Sequence, residues 1–112
     1  MIECMNVAGT CLITDGSLTH EAYVGMTLQR TGSPCVIVTC IGSNATLQIN
    51  GQQVTLPPEH WLRVGPSVGK PRRIRQRESH NFRYVVGWLW SKLKGDDHFD
   101  ENIDNAVVGV RG

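Results

Sequence analysis

Several features that would classify this protein at once are missing from its sequence. No apolar stretch approaches the roughly 20 residues that a membrane-spanning helix needs. The opening MIECMNVAGTCLITDG has an early acid, no basic segment and no long apolar core, so it does not resemble a signal peptide. The formal net charge is only +1, so the overall field favours neither nucleic acids nor membranes as partners. We expect either a cytoplasmic protein or a domain separated from its targeting segment.

Signatures of metal binding and catalysis are also missing. The four cysteines form no C-x-x-C pair, and no two histidines have metal-ligand spacing. The acidic stretch DDHFDENID lacks the alternating aspartates and the glycine of a calcium loop. None of the four histidines lies in a recognisable nucleophile setting, and no glycines form a phosphate-binding loop before a helix. The sequence therefore predicts a non-enzymatic protein without a metal ion or a cofactor.

The cysteines leave two interpretations open. Cys35 and Cys40 are separated by an odd number of positions, which places them on opposite faces of an extended strand, so they cannot bridge each other. Together with Cys4 and Cys11 they are either small buried thiols in a reducing compartment or partners in a long-range disulfide.

Short apolar segments between turn residues dominate what is present. Twelve glycines and five prolines separate segments rich in Val, Ile, Thr, Leu and Trp, which is typical of an all-β domain. NATLQINGQQVTL alternates apolar and polar residues around Asn50 and Gly51, which predicts a hairpin. SPCVIVTCIG predicts a strand buried on both faces. Further strands are predicted in AGTCLITDG, HEAYVGMTLQR, HWLRVG, RRIRQRE, FRYVVGWLW and IDNAVVGVRG.

These segments predict one all-β domain over residues 1–112. About nine to ten short strands would form a β-sandwich or a short flattened β-solenoid. In FRYVVGWLW, a period of two places bulky residues on one face: Phe82, Tyr84, Val86, Trp88 and Trp90. The only helical candidate is a short segment around residues 88–94.

Basic residues are concentrated between positions 63 and 83, where Glu78 is the only acid, and acids follow over 96–104. The candidate binding residues are Arg72, Arg73, Arg75, Arg77 and Arg83. They would contact phosphates, an acidic glycan or an acidic patch on a protein partner. The other interpretation is a solvated edge strand whose charges prevent association between sheets, or pairing with the acidic loop.

The aromatic stripe in FRYVVGWLW also has two interpretations. Beside the arginines it would stack bases, so the alternative function is a small cytoplasmic nucleic-acid-binding domain that uses strands at 72–77 and 82–90. We favour packing of the stripe into the core, because the chain has few other aromatic residues to fill it.

Five segments match, in order, the motifs of one known group of β domains. They are VAGTCLITDGS, AYVGMTLQRTG, VIVTCIGSNATLQINGQQVTLPP, GWLWSKL and NAVVGVRG. The last is similar to the signature Pro-Thr-Ala-Val-x-Gly-Val-Arg-Gly-Thr, the most specific of the set. On these segments the chain, from about Val7 to Gly112, resembles the FecR domain family of bacterial envelope and signalling proteins. The matching motif residues near the C-terminus are Gly87, Trp88, Trp90, Gly109, Val110, Arg111 and Gly112.

The resemblance implies a β-rich, mainly periplasmic module that recognises a ligand or a protein and acts in regulation or sensing. The best understood members regulate a sigma factor through an anti-sigma segment and a membrane helix, which this sequence lacks. The chain departs from the family pattern at Thr31 and Gly32, where a Gly-Asp turn is usual. It also ends before the threonine that normally follows Arg-Gly, so we expect a domain trimmed at its C-terminus. A protein partner or an acidic ligand is expected, without membrane insertion.

Overall fold

The described part of the molecule consists of two β-sheets and one helix. The computed structural model describes residues 1–16, 18–29, 34–65, 68–74 and 81–93, with no account of the side chains at 92 and 93. Within these ranges nine strands form two antiparallel sheets, and the helix Phe82–Leu93 (α1) follows them. The expected all-β class with one short helix is confirmed, and the two sheets correspond to the sandwich form.

Each sheet combines strands from several parts of the chain. The first contains Ile2–Ala8 (β1), Thr27–Leu28 (β4), Asn44–Ile49 (β6) and Gln52–Leu56 (β7). The second contains Cys11–Thr14 (β2), Thr19–Glu21 (β3), Cys35–Thr39 (β5), His60–Val64 (β8) and Arg72–Arg73 (β9). Their spatial orders are β4-β1-β6-β7 and β3-β2-β5-β8-β9.

The hairpin between β6 and β7 is confirmed. Asn50 and Gly51 have φ values of 50° and 84°, which is the backbone that a tight two-residue hairpin turn requires. Ile49 and Gln52 are the last paired residues on either side of the turn. The turn after β2 at Asp15 is confirmed as well, and Gly16 has a φ of 98°.

The main core lies between the two sheets. It is formed by residues that alternate along the strands: Ile2, Cys4, Cys11, Ile13, Cys35, Ile37, Ala45, Leu47, Ile49, Leu56, Leu62 and Val64, with Ala22 and Met26. A register shift between Cys4 and Asn6 leaves Met5 as the extra residue of a bulge. The shift resets the alternation of β1, so that Val7 packs against this core. The strand Ile2–Ala8 was not predicted from the sequence.

The central strand β5 of the second sheet is buried on both faces, as SPCVIVTCIG predicts. Cys35 and Ile37 face the main core, whereas Val36 and Val38 belong to a second core beneath α1. Cys40 packs against that second core, so Cys35 and Cys40 lie on opposite faces as expected. All four cysteines are free thiols, and Cys4, Cys11 and Cys35 are buried as the buried-thiol interpretation expects, whereas Cys40 is half-buried.

The interpretation of FRYVVGWLW as a strand is wrong, because this segment forms most of α1. Val85, Val86 and Leu89 follow the helical spacing of three and four residues, and all three are buried on the second sheet. Asn81 caps the helix, since its Oδ1 accepts a hydrogen bond of 3.1 Å from the Tyr84 backbone N–H. The helix begins six residues earlier than the short helical candidate at 88–94.

The predicted strand HEAYVGMTLQR requires correction, and two others, RRIRQRE and IDNAVVGVRG, lie partly or wholly outside the residues that the structure describes. HEAYVGMTLQR is not one strand, because a turn in which the Met26 N–H bonds the Tyr23 carbonyl at 3.0 Å separates β3 from β4. In the described part of RRIRQRE, Arg72 and Arg73 form β9, and Ile74 follows the strand. The rest, with Arg75 and Arg77, falls outside the described residues. The predicted strand IDNAVVGVRG, with Gly109, Val110, Arg111 and Gly112, also falls outside the described residues.

Among the described residues, no helix has the length and apolar character needed to span a bilayer.

Candidate functional site

One face of the second sheet carries a row of residues that ends in opposite charges. Directly opposed residues on neighbouring antiparallel strands point to the same face. The row across five strands is Glu21, Leu12, Val38, Trp61 and Arg72. Leu12, Val38 and Trp61 belong to the second core, so the row lies on the face that α1 covers. Glu21 is thus at one edge of this face and Arg72 at the other.

A cleft of about 370 Å³ opens where this face meets the first turn of α1. The sheet side contributes Thr10, Leu12, Glu21 and Cys40, and the helix end contributes Asn81, Phe82 and Arg83. Its lining combines two hydroxyl or amide groups, one thiol, two apolar side chains and one charge of each sign. A concave site with a few placed polar groups is the usual form of a ligand site.

Local structure fixes each wall of this cleft. Pairing of β2 with β3 sets Glu21 opposite Leu12, and the Cys40 N–H donates a 3.0 Å hydrogen bond to the Thr10 carbonyl. On the other wall, the capping bond of Asn81 fixes the first turn that carries Arg83. The residues of both cleft walls therefore lie on strands or on the helix, or directly beside the ends of these elements.

The electrostatics of the cleft centre on the Cys40 thiol. Burial raises the pKa of Cys40 above its ordinary value of 9.0, the nearby Glu21 carboxylate raises it further, and Arg83 opposes these effects. Both charges are therefore close enough to act on the same thiol. In the part of the chain that the structure describes, no salt bridge joins Glu21 to Arg83, so their charges face the cleft separately.

This arrangement favours binding over thiol chemistry. The thiolate is the reactive form of cysteine, and the raised pKa keeps Cys40 protonated at neutral pH. Within the described ranges, no group of three or more His, Cys, Asp or Glu side chains could hold a metal ion. The cleft can instead place an ammonium near Glu21 and a carboxylate or phosphate near Arg83.

The candidate arginines do not form one cluster. Arg83 lines the cleft, whereas Arg72 lies at the far edge of the same sheet with its guanidinium over the Trp61 ring. Arg73 is opposite His60 and exposed, and strand alternation places it on the other face from Arg72. Arg75 and Arg77 lie outside the described residues.

The aromatic residues of α1 mostly pack inward. Phe82, Trp88 and Trp90 are partly buried against the second core, which agrees with the interpretation that we favoured. The Trp90 Nε1 donates a 3.2 Å hydrogen bond to the Pro34 carbonyl. Only Tyr84 of the stripe is exposed, at 52% of its surface. These rings form no flat strand surface for stacking bases. Gly87 is exposed on the helix, with open space around its Cα.

Five of the seven cleft residues were not predicted as binding residues from the sequence: Thr10, Leu12, Glu21, Cys40 and Asn81. Asn81 had a readable signal, since an asparagine directly before an apolar segment is typical of a helix N-cap. The sequence has no comparable local signal for Glu21, because its position in the same cleft as Arg83 depends on the tertiary packing of α1 on β2.

The protein is therefore a two-sheet β domain in which α1 covers one face of the second sheet and a cleft lies beside the first turn of that helix. No protein-family model, curated protein or solved structure matches the chain. The resemblance to FecR domains therefore rests on the sequence motifs alone.

Proposed function

We propose that the protein is a non-enzymatic recognition module that binds a ligand or a protein segment in the cleft between the second sheet and α1. The observation that carries this proposal is the pair of opposite charges, Glu21 and Arg83, which line one cleft without pairing to each other. Charge complementarity then favours a partner that presents an ammonium and an acidic group together.

The remaining lining residues suit such a partner. Leu12 and Phe82 provide apolar area, while the Thr10 hydroxyl and the Asn81 amide provide donors and acceptors at the rim. A peptide segment with neighbouring basic and acidic side chains meets both requirements. We include in the proposal a regulatory or sensing role in the bacterial cell envelope, which is supported by the sequence resemblance to FecR domains.

Alkylation of Cys40 tests binding at this site directly. Cys4, Cys11 and Cys35 are buried, so a maleimide reacts first with the half-buried Cys40. The probe is the blocked dipeptide acetyl-Lys-Asp-amide, compared with acetyl-Lys-Lys-amide and acetyl-Asp-Asp-amide. The Lys-Asp peptide carries both charges and should shield the Cys40 thiol from the maleimide when it is bound. If this mixed peptide binds with a Kd of about 1 mM, alkylation should be roughly tenfold slower at about 10 mM peptide. The single-sign peptides are expected to protect far less.

Three variants locate the effect. Glu21→Gln and Arg83→Gln should each remove the protection, because each deletes one of the two cleft charges. Arg73→Gln, an exposed arginine outside the cleft, should leave it unchanged. Absence of protection by the mixed peptide, or equal protection by all three peptides, would overturn the proposed site.

A single-stranded oligothymidylate measures the nucleic-acid alternative. That function predicts binding whose affinity falls steeply with salt and weakens in Arg73→Ala. This outcome would replace the proposed function. Absence of oligonucleotide binding, together with protection by the mixed peptide, supports the recognition module.

Cell fractionation tests the envelope role. The protein expressed from its own gene is expected in the periplasmic or membrane fraction, and its recovery in the cytoplasmic fraction alone would contradict the envelope role.

A further inference from the structure

The edge strands of the two sheets differ in how well they are protected. An edge exposes unpaired backbone groups, and natural proteins blunt such edges with charges, proline, bulges or short length. Among the described strands, β4 and β9 have two residues each, and β3 has three and ends in Glu21. In contrast, β7 has five residues, QQVTL, with no charge, no proline and no break in its register.

The hairpin geometry shows which backbone groups of β7 point outward. A two-residue turn is closed by a hydrogen-bonded pair, here Ile49 and Gln52, and such pairs alternate along an antiparallel ladder. The N–H and C=O groups of Gln53 and Thr55 therefore face away from β6. Both residues are exposed. The strand ends before Pro57, whose carbonyl accepts a hydrogen bond from the Thr39 hydroxyl.

We propose that β7 pairs in antiparallel fashion with β7 of a second copy of this chain, about a two-fold axis at Val54. Gln53 of one protomer then lies opposite Thr55 of the other, and each such pair exchanges two N–H···O=C bonds. The side chains match as well. Val54, which packs against the main core, meets its own copy on the inner face, while Gln53 and Thr55 meet on the polar outer face.

Charge favours a second copy as the occupant of this edge. A two-fold axis brings a strand against itself, so any charge on the strand approaches its own copy. The two arginines of β9 and Glu21 of β3 would repel their copies, whereas β7 carries no charge. A single strand pair buries less than the roughly 1,200 Å² of a standard interface, so we expect a weak dimer with a Kd on the order of 100 μM.

Sedimentation equilibrium from about 10 μM to about 1 mM protein tests the proposal across the expected Kd. The wild-type chain should dimerise within this range. In the double variant Gln53→Lys with Thr55→Lys, lysines face each other across the axis, and the Kd should rise at least about tenfold. The double variant with Glu at both positions should behave in the same way, and an equimolar mixture of the two variants should form a heterodimer.

A matched control and two contrary outcomes complete the test. Thr27→Lys places a lysine on the exposed edge strand β4 instead and should dimerise like the wild-type chain. Circular dichroism checks that every variant is folded. A wild-type chain that stays monomeric at about 1 mM would overturn the proposal, and so would a dimer that the double variants leave unchanged. The cleft variants Glu21→Gln and Arg83→Gln should dimerise normally, so this proposal and the proposed function can fail independently.

Discussion

The guanidinium carbon of Arg72 lies 5.9 Å from the centroid of the Trp61 ring. The two residues are also directly opposed across β8 and β9, so the contact follows from their register. Trp61 is among the largest fully buried side chains, and Arg72 covers its ring at the edge of the sheet. Arg72, considered from the sequence as a binding residue, therefore has a structural contact.

This contact predicts a difference between two neighbouring arginines. Arg72→Ala should lower the free energy of unfolding by about 1 kcal/mol, because it removes a cation–π interaction at a partly desolvated site. Arg73→Ala, which changes an exposed side chain, should alter it by less than about 0.5 kcal/mol. Urea unfolding measures both values. Equal effects of the two substitutions would contradict the placement of Arg72 on Trp61.

A comparison of two turn glycines tests the position of Trp90. Gly16 and Gly25 have similar φ values of 98° and 90°. A Cβ at Gly16 would overlap the Trp90 ring, whereas a Cβ at Gly25 meets no atom within 4 Å. Gly25→Ala should therefore cost only the left-handed strain of about 1–2 kcal/mol. Gly16→Ala should cost about 1–3 kcal/mol more, from overpacking. Urea unfolding that gave equal losses would show that Trp90 lies elsewhere.

A substitution at Gly87 tests the placement of this residue in an open part of the interior of α1. Gly87 lies in the interior of α1 with open space around it, so alanine fits there without a clash. Gly87→Ala should raise the free energy of unfolding by about 1 kcal/mol, because alanine has the higher helix propensity. Thermal unfolding should show a correspondingly higher midpoint. A lower midpoint would argue against a helix at this position.

The buried thiol of Cys11 makes stability depend on alkaline pH. Burial, with smaller effects from Cys4 and Cys40, raises the pKa of Cys11 from 9.0 to about 12. Above pH 9 the Cys11 thiol is deprotonated in the unfolded chain, whereas it stays protonated in the folded chain until the pH approaches about 12. The contribution of this thiol to stability is therefore complete below pH 9 and is lost as the pH rises towards about 12. The free energy of unfolding should fall by about 1.4 kcal/mol per pH unit in this window.

The variant Cys11→Ala isolates that effect from other groups that titrate at high pH. It should be less stable than the wild-type chain at pH 7, because it leaves a small cavity in the main core. The stability difference should then shrink as the pH rises from 9 to about 12. Urea unfolding across this range measures it, and a constant difference would contradict the raised pKa.

The predictable parts of the fold are those with local signals. Asn50 and Gly51 specify their hairpin, and the continuous apolar run in SPCVIVTCIG indicates a strand covered on both faces. The helix was misread because Phe82, Val86 and Trp90 satisfy a period of two and a spacing of four at once. The hydrophobic pattern alone therefore did not decide whether the segment is a strand or a helix. The capping role of Asn81 was the one local cue that favoured the helix.

The candidate site was less predictable than the fold. Arg83 was selected from the sequence because it belongs to a basic region, and the structure does place it in the cleft. Glu21 and Cys40 were not selected, since they reach the cleft through strand register and through the packing of α1 on β2 and β5. Such long-range placement has no signature in a single sequence.

The packing of α1 on the second sheet creates the cleft, so the proposed function depends on this packing more than on any other feature. Nuclear magnetic resonance tests it most directly, through the Cα and Cβ chemical shifts of residues 82–93 and the contacts between methyl groups. We expect helical shifts throughout this segment, with nuclear Overhauser effects from Val86 and Leu89 to Val36 and Val38. Extended-strand shifts at 82–90, or the absence of those effects, would contradict the account.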